Sequence, residues 1–189
     1  MDLIAKVLQW VANVCKVILT VVINYPSLWI CTYIIRRRIK KTKAFVTLNG
    51  TDVMTIINAA IKPGNGCHTE LTDRSYNLPK KEWIEYINNN LWIPYREIRQ
   101  FVYGENYDCD NYAVSFFNLV QELMLGLCIG IAHYGYTVNG EYKAHAVACF
   151  IPEDLKNFWL LEPQYDTCAT WALDKDKQDL YFVYLEGVK

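Results

Sequence analysis

Along this chain the apolar positions change period twice, from an unbroken apolar run to helical spacing and then to strands. From Val17 to Ile35 no residue is charged, a run of 19, and Arg36, Arg37, Arg38, Lys40, Lys41 and Lys43 follow it. At helical rise such a run covers roughly 28 Å, near the hydrocarbon thickness of a bilayer. The basic cluster is what the positive-inside rule places on the cytoplasmic side. Residues 1–43 are therefore expected to hold an N-terminal hydrophobic, membrane-associated helix. A second reading stays open. Asp2, Lys6, Gln9, Asn13, Lys16, Thr20 and Asn24 recur at spacings of three and four, the polar stripe of a helix lying on a membrane or pairing with a partner helix.

Residues 44–189 read as one globular unit. Thr51–Ile61 has apolar residues at helical spacing and stops at Pro63-Gly64. A polar stretch then leads to Pro79, with short helices predicted over Lys80–Asn88 and Tyr95–Tyr103. The clearest helix runs from Asp108 to Gly126, with Cys109, Tyr112, Ala113, Phe116, Phe117 and Val120 on one face. After it the period switches to two, predicting strands at Cys128–Tyr136, Glu141–Phe150, Phe158–Glu162 and Leu180–Leu185. Asn139-Gly140 is a two-residue hairpin turn between the first two. Helices first and an antiparallel sheet afterwards predict an α+β class.

Composition narrows the function. A chain of 189 residues holds one ordinary domain and an appendage. Its formal net charge of -1 gives no reason to expect nucleic acid as a partner. The seven cysteines are odd in number and show no CxxC spacing, which argues against a disulfide scaffold and a structural zinc site. Free thiols suit a reducing compartment, in keeping with a cytoplasmic domain at a membrane.

Three residues carry candidate chemistry. Asp108 is a good N-cap, so Cys109 opens the long helix, where the dipole favours a thiolate and Asp108 and Asp110 oppose it. The plainer reading is a cysteine that only packs. His145 lies between alanines in a strand, a catalytic base or a satisfied core histidine. Glu162 ends another apolar strand. A hairpin centred near Glu153-Asp154 sets Glu162 directly opposite His145, with Cβ atoms roughly 4.5–5.5 Å apart. A carboxylate there needs such a partner, and it would fix the imidazole tautomer. Together these make a nucleophile, a base and an orienting group. His133 has no carboxylate partner in this scheme. Cys67 and His68 lack the further ligands of a metal site.

The segments Asp-Cys-Asp-Asn-Tyr-Ala, Ala-His-Ala-Val-Ala and Trp-Leu-Leu-Glu-Pro resemble the papain-like and transglutaminase-like cysteine peptidase superfamily, closest to the protease domain of the Marasmius oreades agglutinin type. That resemblance spans about residues 95–165 and implies a papain-like fold, a protein or peptide substrate and a catalytic Cys109–His145–Glu162 triad. It also implies calcium ligands at Asp110 and Gln164, although the chemistry itself needs no cofactor. Gln100 is the upstream candidate for an oxyanion donor. Expected function is thus a cysteine peptidase. Transglutaminase-like amidation and an inactive membrane-tethered binding module are the alternatives.

Overall fold

In the computed structural model the described residues are 29–30, 32–34, 36–37, 45–99, 104, 107–124, 126–165 and 169–188. In chain order they form β1 (Thr47–Asn49), α1 (Gly50–Ala60), β2 (His68–Leu71), β3 (Ser75–Asn77) and α2 (Lys81–Ile87). A π-helical turn (Asn88–Trp92) joins α2 to α3 (Ile93–Arg99), and α4 is Cys109–Leu123. The remaining strands are β4 (Ile129–Val138), β5 (Glu141–Phe150), β6 (Trp159–Glu162), β7 (Ala169–Ala172) and β8 (Asp179–Glu186).

Six strands make one sheet in the order β2-β8-β4-β5-β6-β7, and β1 pairs with β3 beside it. The pair β4–β5 is the backbone of the sheet, matched from Ile129↔Phe150 to Val138↔Glu141. Its turn works because Asn139 and Gly140 both take positive φ, 53° and 82°, which follows the twist of the strands. Gly130 lets β4 and β8 close up, since a Cβ there would lie 1.7 Å from the Tyr184 carbonyl oxygen.

Apolar residues fill both faces of this sheet. On one face Phe116 and Val120 of α4, with Ile84, Leu91 and Trp92, bury against Ala148, Phe150 and Leu161. On the other, Val53 and Ile57 of α1 and Tyr76 of β3 pack on Cys128, Val147, Cys149 and Val183. The helix α4 starts with a capping box between Asp108 and Asn111. At its far end the Gln121 amide donates to the Leu127 carbonyl (3.2 Å) and accepts from the Gly126 N–H (3.2 Å). The Arg36 guanidinium donates to the Glu122 carbonyl (3.3 Å), a favourable placing of a cation at a helix C-terminus.

The architecture corrects the expected one in two respects. The sheet is mixed, because β2 runs parallel to β8 from His68↔Phe182 to Leu71↔Leu185. The sheet dominates, and α1 to α4 are short, the longest being the 15 residues of α4. Most of the expected N-terminal apolar helix over 17–35 lies outside the described residues. Among the described residues no helix is long and apolar enough to cross a membrane.

Candidate functional site

The site forms where β5 passes from the covered part of the sheet to its open end. Residues Ala146–Phe150 are buried, whereas Glu141–Ala144 are exposed, and His145 stands at the boundary. The strand β6 accompanies β5 only over Ala148↔Leu161, Cys149↔Leu160 and Phe150↔Trp159. This register runs two residues beyond the expected one, so Glu162 falls opposite Val147. His145 and Glu162 are therefore diagonal neighbours on one face, a spacing that long side chains bridge. Bridge it they do: His145 Nε2 and Glu162 Oε2 form a short charge-assisted contact. The other carboxylate oxygen, Oε1, accepts the Gln164 N–H at 2.9 Å. Glu162 is only 2% exposed, so these bonds are what offset its burial.

Cys109, half-buried at the start of α4, arrives at the same strand. Its thiol meets the backbone N–H of Ala146, the residue that follows His145. Burial holds this thiol above its ordinary range, Asp110 and Asp108 raise it further, and the Ala146 and Asp110 backbone amides pull it back. Here the outcome differs from the favourable effect expected of the helix dipole. Desolvation and two carboxylates outweigh the backbone donors.

Two aromatic residues close the surroundings. The Tyr134 ring lies edge-on to His145 with centroids 5.8 Å apart. Burial and the Glu162 charge push the Tyr134 hydroxyl up to about 12. Tyr181 of β8 packs against the His133 ring, and its hydroxyl is raised by burial and then by Tyr142, Asp110 and Cys109. Beyond Tyr134 opens a cleft of about 760 Å³ lined by Tyr136, Trp171, Asp174, Gln178 and Asp179. Gln178 ties its wall together, accepting from Trp171 Nε1 and from the Asp174 N–H, each at 3.2 Å.

Other candidates end elsewhere. Gln100 lies outside the described residues. Asp110 is exposed with Oδ1 at 3.7 Å from Cys109 Sγ, while Gln164 uses its main chain to bind Glu162 and Arg96. Among the described residues no group of three or more His, Cys, Asp or Glu side chains is placed to hold a metal ion. Calcium at Asp110 and Gln164 stays an expectation of the sequence, and no step is routed through it. His68 pairs with exposed Glu70 at 3.0 Å, and His133 packs against the Tyr181 and Phe182 rings. Reading the sequence missed Arg96 and Trp92, which grip the chain just after Glu162. The available signal was their spacing of four on the apolar side of a helix.

No protein-family model matches the chain, and no curated protein matches it. Solved structures do match, one of them titled as a lectin, and what they share with this chain is a fold. One is titled as the PSL1a–E64 complex, with TM-score 0.56 and 19% identity, covering 73% of this chain and 51% of that one. Another is Polyporus squamosus lectin bound to the human-type influenza-binding epitope Neu5Aca2-6Galb1-4GlcNAc, with TM-score 0.54 and 20% identity, covering 73% of this chain and 49% of that one. The chain spans about half the length of these neighbours, and at such identity the likeness shows the fold alone. These findings correct the expected assignment to the papain-like and transglutaminase-like peptidases. One of the matched structures carries the lectin name, and no family model ties the chain to a peptidase. The papain-like fold label, the cysteine peptidase activity and the enzyme assignment are corrected with it.

Proposed function

We propose that residues 44–189 are a ligand-binding domain whose working group is the Cys109 thiol. His145 accepts its proton, and Glu162 holds the imidazole. The observation that supports this most is the buried Glu162 carboxylate on His145 Nε2, beside a thiol that meets the Ala146 amide. With Nε2 engaged, Nδ1 is the ring nitrogen left to take a proton. A thiol held above its ordinary range supplies little thiolate at neutral pH, so a neighbouring base matters more here than at an exposed cysteine. The PSL1a neighbour, solved with E64, adds support that a ligand can occupy this fold. A reducing compartment belongs to the same proposal, because Cys67, Cys109, Cys128 and Cys149 are all free.

Iodoacetamide labelling resolved by residue tests this reading. Cys109 is expected to react faster than Cys67, and His145→Ala to slow it about tenfold or more. Equal rates in the two proteins would sink the proposal.

A second reading is carried by the cleft beyond Tyr134. Tyr136 and Trp171 offer aromatic faces, and Asp174, Gln178 and Asp179 offer hydrogen-bonding groups, a combination that suits a polyhydroxyl ligand such as a carbohydrate. The lectin neighbour, bound to a sialylated epitope, favours that class. On this reading a glycan titration loses its signal in Trp171→Ala and keeps it in Cys109→Ala. Binding that survives Trp171→Ala would remove the cleft from consideration.

A further inference from the structure

Glu162 is held to His145 by a turn of main chain, and that turn is itself held by two buried donors on a helix. The Pro163 carbonyl accepts both Trp92 Nε1 (2.7 Å) and Arg96 Nη1 (3.0 Å). Arg96 also donates to the Gln164 carbonyl. Its guanidinium is 5.6 Å from the Tyr112 ring centroid, so α4 backs the same cation. Arg96 is 5% exposed and Trp92 fully buried. Burying a cation is expensive, and here it is directed at the main chain on the far side of Glu162.

The geometry then runs in one direction. With Pro163 O and Gln164 O fixed, the Gln164 N–H is aimed at Glu162 Oε1, which turns Oε2 toward His145. The π-helical turn sets where these donors point. It inserts its wider turn at Asn88–Trp92, directly before the helix that carries Arg96.

We infer that Arg96 and Trp92 are positioning residues that set the Glu162–His145 contact, and through it the reactivity of Cys109. The last clause rests on the thiol-centre reading proposed above, whereas the first does not.

The test uses the full chain and three variants, Trp92→Phe, Arg96→Gln and His145→Ala. Trp92→Phe keeps an aromatic ring in place and removes the N–H donor with part of the indole, so it holds the test if Arg96→Gln fails to fold. Proton NMR reads the His145 Nε2–H, which a short bond to a carboxylate moves far downfield. Trp92→Phe is expected to shift that resonance upfield by roughly 1 ppm or more, or broaden it away, as the loss of a strong hydrogen bond would. Cys109 alkylation should slow about fivefold to tenfold, with Cys67 alkylation unchanged. An unmoved resonance in folded Trp92→Phe would overturn the positioning role. A moved resonance with an unchanged Cys109 rate, where His145→Ala does slow Cys109, would overturn the link to reactivity. Should His145→Ala leave the Cys109 rate alone, the thiol-centre reading fails, and the resonance still decides the clamp.

Discussion

The two ends of strand β5 place cysteines in opposite circumstances. At the closed end Cys149 lies on β5 and Cys128 just before β4, both 0% exposed and packed between α1 and the sheet. Burial pushes the Cys128 thiol up to about 12 and Cys149 well above the ordinary value of 9.0. At the open end β6 has stopped pairing, so the strand edge is free to receive the first turn of α4 and the Cys109 thiol. Both settings raise a thiol, yet only the open one has a base and a carboxylate on the same strand edge. What separates a packing cysteine from a candidate working one is thus the company at the sheet's end, more than the thiol's own acidity.

Breaking the closed end should cost most. Gly130→Ala places a Cβ against the Tyr184 carbonyl and must part β4 from β8, for a loss of about 3 kcal/mol or more in denaturant unfolding. A Gly130→Ala variant as stable as the parent would mean that the sheet is looser than described. Next comes Phe116→Ala, which empties the core under α4 and should cost about 3–5 kcal/mol by the same measurement.

Alkaline pH sharpens the contrast without a mutation. Folded Cys128 holds its proton up to about 12 against an ordinary 9.0, so the folded state binds more protons in that window. Its stabilising contribution is complete below 9.0 and is lost as pH rises toward 12. Cys128 should contribute a fall in unfolding free energy of about 1 kcal/mol per pH unit there, and Cys128→Ala should lessen the slope by that share, leaving the part due to Cys149. At the open end the effects fall on reactivity. Asp110→Asn removes one of the charges that raise Cys109, so alkylation at fixed neutral pH should quicken about twofold to fivefold, with stability within about 0.5 kcal/mol of the parent.

How much of this was legible in the sequence varies with the range of the interaction. Local signals worked: Asp108 marks the start of α4, Asn139-Gly140 makes the hairpin, and the Glu141–Phe150 span matches β5. The meeting of His145 and Glu162 was readable because a carboxylate at the end of an apolar strand has few ways to be satisfied. Register was not, since the turn over Pro152–Leu155 takes a positive φ of 55° at Leu155, which no two-residue rule anticipates. The strands β2 and β3 have no apolar run of their own. His68–Leu71 alternates exposed and half-buried residues, and it becomes a strand only by pairing with β8. Arg96 was invisible for a similar reason, because its partners are carbonyls some 67 residues away. The family assignment failed where short motifs stood in for a whole-chain comparison.

Central to everything above is whether His145 activates Cys109 while the closed-end thiols stay inert. Residue-resolved alkylation of the folded protein at neutral pH, alongside His145→Ala, measures this directly. The expected result is rapid modification of Cys109, none of Cys128 or Cys149, and a drop of about tenfold at Cys109 in the variant. A Cys109 that reacts no faster than Cys67, and at the same rate without His145, would contradict it.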